Sequence, residues 1–133
     1  MSSISLQCGD CLELMNNISD KSADCIVTDL PYQQTSRNKW DVIIPFEPLW
    51  EQYKRIAKDN AAIILFANGM FTAELMMSNK QMWRYNLIWE KTQPTGFLNA
   101  KKMPLRSHED IYIFYKKPPV YNPQKTTGHV RKV

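Results

Sequence analysis

Short apolar runs alternate with amphipathic segments along the chain, and this pattern predicts an α/β domain. Residues 24–28 and 61–67 carry apolar runs bounded by polar positions, which is typical of strands buried on both faces of a sheet. Three more segments alternate apolar and polar positions, as half-exposed strands do: residues 4–8, 85–90 and 110–115.

Three segments between these strands have the apolar spacing of helices. Asp10 is a suitable N-cap for a helix that runs to about Asn17. The second helix covers residues 48–58, and the third covers residues 71–79. Helices that alternate with buried strands predict a layered α/β domain with a largely parallel sheet. The long polar loop at residues 91–109 replaces a helix and therefore predicts an antiparallel strand at one edge.

Length and composition are those of one ordinary domain. The chain has 133 residues, of which 44% are hydrophobic and 23% are charged, and this is enough to bury a core. No apolar run approaches the roughly 20 residues of a membrane span. The N-terminus lacks the basic leader and apolar stretch of a secretory signal, so we expect a cytoplasmic location.

The net charge is +4 and the isoelectric point about 9.0, which is compatible with nucleic-acid binding but also with a solvated basic face. Basic residues gather in the second half of the chain, above all near its C-terminal end. We expect a domain at residues 1–117 and a basic extension at residues 118–133.

Three cysteines are too few for a disulfide framework, and an odd number cannot all be paired within the chain. Cys8 and Cys11 have the Cys-x-x-Cys spacing of zinc ligands, but no second pair has metal-ligand spacing. We therefore expect no metal site, and interpret these residues and Cys25 as buried thiols at strand ends.

The tetrapeptide Asp29-Leu30-Pro31-Tyr32 directly follows the predicted strand at residues 24–28. Ligands of α/β sheets bind at the carboxyl ends of strands. The carboxylate of Asp29 and the backbone carbonyl of Leu30 are two acceptors for an amino group on a flat ring. Tyr32 offers an aromatic face, and Pro31 offers a rigid backbone. Asp and Pro are also ordinary turn residues, so the tetrapeptide alone is not decisive.

The tetrapeptide and its surroundings resemble the beta group of N6-adenine and N4-cytosine DNA methyltransferases, whose catalytic motif is Asp-Pro-Pro-Tyr. The matching segments occur in the family's order and approximate spacing: residues 8–15, 22–29, 38–41, 86–91 and 106–111. The resemblance implies a partial Rossmann-like methyltransferase fold, with a mostly parallel sheet and an antiparallel edge strand. It also implies S-adenosylmethionine as cofactor and double-stranded DNA as substrate.

The resemblance assigns roles to individual residues. Asp29, Leu30, Pro31 and Tyr32 would form the catalytic target-base site, and the acid at position 29 favours the N6 of adenine. Asp10 matches the position that contacts the adenosine part of the cofactor. Two residues of the loop after the motif are candidates for DNA contact, although solvation and core packing explain them equally well: Lys39 and Trp40.

The chain departs from the family pattern in two respects. Leu30 stands where the family has its first proline, and Gln33 where it usually has a small residue. The glycine-rich cofactor signature expected late in the chain is absent, since Gly128 is the only glycine after residue 115. We therefore expect a truncated methyltransferase-like protein that is not active alone, with the missing strands supplied by a protein partner or by a second copy.

Two other functions stay open at this point. One is a non-catalytic binding, regulatory or inhibitor protein of phage or mobile-element origin that reuses the fold. The other is a simple nucleic-acid-binding module that uses its basic tail.

Overall fold

The computed structural model describes residues 2–32, 39, 41–128 and 130, which form one four-stranded sheet with helices. The strands are β1 (Ala23–Asp29), β2 (Ala57–Ala67), β3 (Trp83–Thr95) and β4 (Arg106–Phe114). The helices are α1 (Cys11–Leu14), α2 (Phe46–Ile56) and α3 (Met70–Ser78), with single 3-10 turns at Met15–Asn17 and Phe97–Asn99. Mixed α/β architecture is therefore confirmed.

The strands lie in the order β1-β2-β4-β3. β1 pairs parallel with β2, and β4 pairs antiparallel with both of its neighbours, β2 and β3. The edge strand β3 is thus joined by an antiparallel pairing, as predicted. The sheet contains less parallel pairing than expected, because the chain returns from β3 to β4 without a crossover helix.

α2 and α3 cover one face of the sheet. α2 buries a stripe at helical spacing, including Leu49, Tyr53 and Ile56, and α3 buries Phe71 and Leu75. These side chains form one core with alternate residues of the two central strands: Ala61, Ile63, Leu65 and Ala67 from β2, and Tyr112 and Phe114 from β4. The spacing of apolar residues in both helices predicted this packing.

Arg55 fixes the N-terminal segment onto α2. Its guanidinium donates hydrogen bonds to the backbone carbonyls of Met15 at 2.7 Å and Ile18 at 2.8 Å, and it pairs with Asp20 at 2.7 Å. Several charge-assisted hydrogen bonds from one planar group hold a segment more rigidly than isolated surface contacts do. α1 and the following turn are therefore held beside α2.

The predicted strand at residues 4–8 is wrong, since the structure gives this segment no helix or strand. Ile4 is 88% exposed and Leu6 is 90% exposed. An alternating segment becomes a strand only where a neighbour pairs its backbone groups. Within the described residues β1 pairs with β2 alone, so its outer edge has no neighbour.

The second face of the sheet is apolar but is not covered by the described helices. The exposed fractions of its side chains are 62% for Val27, 45% for Tyr85, 51% for Leu87 and 47% for Trp89. The strand register places these residues on the same face as Phe66, whose ring meets Trp89 edge to face at 6.0 Å. The described helices therefore leave these apolar side chains partly exposed on one face of the sheet.

Among the described residues, no helix has both the length and the apolar character required to cross a membrane.

Candidate functional site

The loop after β1 anchors the candidate site in the core. Asp29 ends β1 with an exposed side chain, in register with Phe66 of β2. Leu30 is only 4% exposed and belongs to the hydrophobic core, while Pro31 and Tyr32 are half-buried. The leucine that replaces the family's proline therefore holds the loop through side-chain packing, a role that sequence reasoning missed.

Tyr32 joins the acid and the aromatic cluster. Its hydroxyl donates a hydrogen bond to Asp29 Oδ1 at 2.7 Å. Its ring packs against Phe71 at a centroid distance of 5.0 Å, and Phe71 in turn packs against Phe46 at 5.8 Å. Burial and, next, the hydrogen bond to Asp29 raise the pKa of Tyr32 well above its usual range. Tyr32 is therefore a neutral donor that orients the carboxylate.

Gly69 brings Phe71 into this cluster. It connects β2 to α3 with φ 61° and ψ −142°, a conformation in which a side chain would be strained. The turn is further held by Thr72, whose Oγ1 donates to the carbonyl of Gly69 at 2.6 Å. Because β1 and β2 are parallel, this turn and the loop after β1 leave the sheet at the same edge.

A second acid approaches the cluster from β4. The negative charge of Glu109 contributes to the raised pKa of Tyr32. Glu109 pairs with Lys91 at 2.5 Å, and their side chains are only 14% and 18% exposed. Lys91 also lies 5.6 Å from the centre of the Trp89 ring. The sequence analysis assigned no role to this pair. Opposite charges on two strands that were expected to be neighbours could have indicated it.

The remaining predicted site residues lie elsewhere in the fold or outside the described residues. Asp10 is exposed, and its carboxylate caps α1 by accepting the N–H of Leu12 at 2.8 Å. Lys39 is exposed in a turn, and Trp40 lies outside the described residues. Their roles in cofactor and DNA binding stay predictions.

The surroundings of Asp10 contain fewer regular elements than those of Asp29. The Asp10 carboxylate accepts one hydrogen bond as a helix cap, and among the described strands none lies beside the outer edge of β1. Cofactor binding by this chain stays a prediction.

The expectation that all the cysteines are buried is wrong. Cys8 and Cys25 are exposed and Cys11 is half-buried, and all three are free thiols. Cys8 lies in the unpaired N-terminal segment, and Cys25 alternates with the residues of β1 that face α2. Across the described part of the chain, no three metal-ligating side chains form a group.

Comparison with known proteins decides the family. A model of N6 and N4 DNA methylases matches residues 23–131. The chain belongs to this DNA methylase family. The predicted family is therefore confirmed, and so is its cofactor, because the family uses S-adenosylmethionine. No curated protein matches the chain.

Solved structures share the methylase fold at low sequence identity. The M1.HpyAVI–SAM complex has a TM-score of 0.65 and 17% identity, over 92% of this chain and 62% of that one. The cytosine-N4-specific PvuII DNA methyltransferase has a TM-score of 0.62 and 12% identity, over 84% and 49%. A second crystal structure, of M1.HpyAVI, has a TM-score of 0.58 and 17% identity, over 90% of this chain and 57% of that one. The methylase chain thus spans about half to three-fifths of the structures it resembles, and its predicted methyltransferase fold is confirmed.

Replacing Leu30 tests whether core packing holds the loop. We expect Leu30→Ala to lower the free energy of unfolding by about 2–5 kcal/mol, because it leaves a cavity in the core. The matched variant Val27→Ala, at a position that is 62% exposed, should cost less than about 1 kcal/mol. Urea unfolding measures both values, and equal costs would show that Leu30 does not anchor the loop.

Ionisation of Tyr32 tests its contact with Asp29. Its raised pKa means that the folded state favours the neutral phenol, so this stabilisation is complete below about pH 10, the ordinary tyrosine value, and is lost at higher pH. We expect Tyr32→Phe to leave the tyrosinate absorbance of the folded protein unchanged near pH 10. In urea the same variant should lack one titrating tyrosine. Loss of one titrating group near pH 10 in the folded protein would contradict the described contact.

Proposed function

We propose that this methylase chain is the target-base half of an S-adenosylmethionine-dependent DNA methyltransferase that acts on the N6 of adenine in double-stranded DNA. The observation that carries the proposal is the contact of Tyr32 with Asp29 at the carboxyl end of β1, beside the aromatic rings of Phe71 in α3 and Phe46 in α2. An acid and an aromatic face that lie together at a strand end suit a flat ring with an exocyclic amine.

Asp29 has the capacity to accept a hydrogen bond from the amine in addition to the one it accepts from Tyr32, because a carboxylate has about four lone-pair sites. The nitrogen lone pair of adenine is delocalised into the ring. Hydrogen-bond acceptors that contact the two N–H groups of this amine favour the tetrahedral geometry that the nitrogen must reach as it is methylated. The backbone carbonyl of Leu30 is the second proposed acceptor, and burial of the Leu30 side chain keeps it in place.

Tyr32 is proposed to stack on a base that has left the duplex. Stacking of a base on an aromatic side chain contributes roughly 1–3 kcal/mol. Phe71 packs against the half-buried Tyr32 ring at a centroid distance of 5.0 Å and so fixes its orientation. Pro31 restricts the backbone between acid and ring. Adenine is proposed rather than cytosine because of the acid at position 29.

The uncovered face and the outer edge of β1 are the proposed docking surface for the rest of the methyltransferase fold. Val27 and Leu87 are more than half exposed on this face, and the chain spans only 49–62% of the matched structures. A protein partner or a second copy would supply the missing strands, and methyl transfer by this chain alone is not expected. An isolated sheet edge readily pairs with a further strand.

Lys39, Trp40 and the basic extension at residues 118–133 are proposed to contact DNA, with residues 1–117 forming the domain. Residues 118–128 of this extension contain no helix or strand. A cytoplasmic location stays a prediction.

A non-catalytic binding protein of phage or mobile-element origin is the second candidate. The exposed apolar face favours it, because a docking surface serves an inhibitor as well as an enzyme subunit. This candidate does not require Asp29 or Tyr32 to contact a base.

The base site is tested without cofactor by measuring affinity for duplexes in which one base faces an abasic position. Such a base is already unpaired, so extrusion costs little. We expect a preference for adenine over thymine, which has no exocyclic amine. The preference should disappear in Asp29→Ala and Tyr32→Ala but persist in the control Glu51→Ala, whose side chain is exposed on α2. Equal affinity for all four bases in the unaltered protein would contradict a target-base site.

A further inference from the structure

A cavity of about 250 Å³ lies at the end of the sheet opposite Asp29, where β1 and β2 begin and β4 ends. Its charged lining consists of one carboxylate, Asp59, and four lysines: Lys21, Lys54, Lys58 and Lys116. We call this cavity the lysine pocket. The family match and the candidate base site assign it no role.

Asp59 gathers ammonium groups into the lysine pocket. Its Oδ1 lies 3.2 Å from Lys21 Nζ and 3.6 Å from Lys116 Nζ, and its Oδ2 lies 4.0 Å from Lys117 Nζ. Oδ1 is itself shielded from solvent. The adjacent ammonium group of Lys21, followed by the charge of Lys116, lowers the pKa of Asp59, which keeps its carboxylate charged.

Positive charge exceeds negative charge at this end of the sheet. Lys58 pairs with Asp24 at 2.6 Å, so one of the pocket's lysines is balanced locally. The four lysines that line the pocket and Lys117 carry five positive charges, and Asp59 and Asp24 carry two negative charges, which leaves an excess of three positive charges. Clustered positive charges in a concave site focus the electrostatic potential and attract anions.

The backbone of Lys21 supplies a second observation. Among the described residues it is the one non-glycine residue with a left-handed φ, at 51°. Its N–H donates to the carbonyl of Arg55 at 2.9 Å, and its Nζ donates to the carbonyl of Lys54 at 3.1 Å. Glycine would adopt this φ at less cost, and strained positions of this kind cluster at ligand sites.

We propose that the lysine pocket binds a phosphate group. A tetrahedral oxyanion balances the excess charge and accepts hydrogen bonds from several ammonium donors at once. The cavity is smaller than the roughly 300–1,000 Å³ of pockets that hold drug-sized ligands, so it suits one small group. The phosphate comes either from free phosphate or from a phosphodiester of nucleic acid. The pocket lies at the far end of the sheet, so the inference is independent of the proposed base site.

Calorimetric titration at constant ionic strength, maintained with chloride, tests the pocket with two probes: inorganic phosphate and a short single-stranded DNA. We expect Lys21→Met and Lys116→Met each to weaken binding of the preferred probe by at least about tenfold, since each removes a charged hydrogen-bond donor. The control Lys102→Met, which removes an exposed lysine outside the pocket, should not change it. Preference for inorganic phosphate identifies the free anion, and preference for DNA identifies the phosphodiester.

A further variant separates loss of the site from loss of the fold. Lys21→Gly removes the ammonium group and relieves the left-handed backbone, so the protein should keep its thermal midpoint while phosphate binding weakens at least about tenfold. The proposal is overturned if neither probe binds the unaltered protein. It is also overturned if Lys21→Met, Lys116→Met and Lys21→Gly all bind as tightly as the control.

Discussion

The parallel pairing of β1 with β2 is the interaction on which the rest of the structure depends. Its register sets Asp29 beside Phe66, so both strands end at the same edge of the sheet. The loop that carries Tyr32 therefore meets the turn at Gly69, and Phe71 packs on the Tyr32 ring. Without this pairing, Phe71 would have no fixed position relative to Asp29 and Tyr32.

Hydrophobic periodicity correctly predicted the helices whose apolar stripes pack on the sheet. It failed for a strand that requires a neighbouring strand to pair with. The stripe Leu49, Tyr53 and Ile56 faces the sheet as its helical spacing requires. Residues 4–8 have equally regular alternation, yet no described strand pairs with them. The burial of Leu30 was not predictable, because the family pattern drew attention to a lost proline and not to an added core side chain.

The described helices cover one face of the sheet and leave the other face uncovered. α2 and α3 complete the core beneath the candidate base site. The opposite face leaves Val27, Leu87 and Trp89 in solvent, and the outer edge of β1 has no partner in the described chain. The candidate base site and the lysine pocket lie at opposite ends of the sheet.

Calorimetric titration of the purified 133-residue chain with S-adenosylmethionine tests the central claim most directly, namely that this chain carries the target-base half without the cofactor half. Our account predicts no detectable binding up to about millimolar cofactor, where the free energy of binding is only about −4 kcal/mol. Binding in the micromolar range by the monomeric chain would contradict the account, because it would require a cofactor site within this chain.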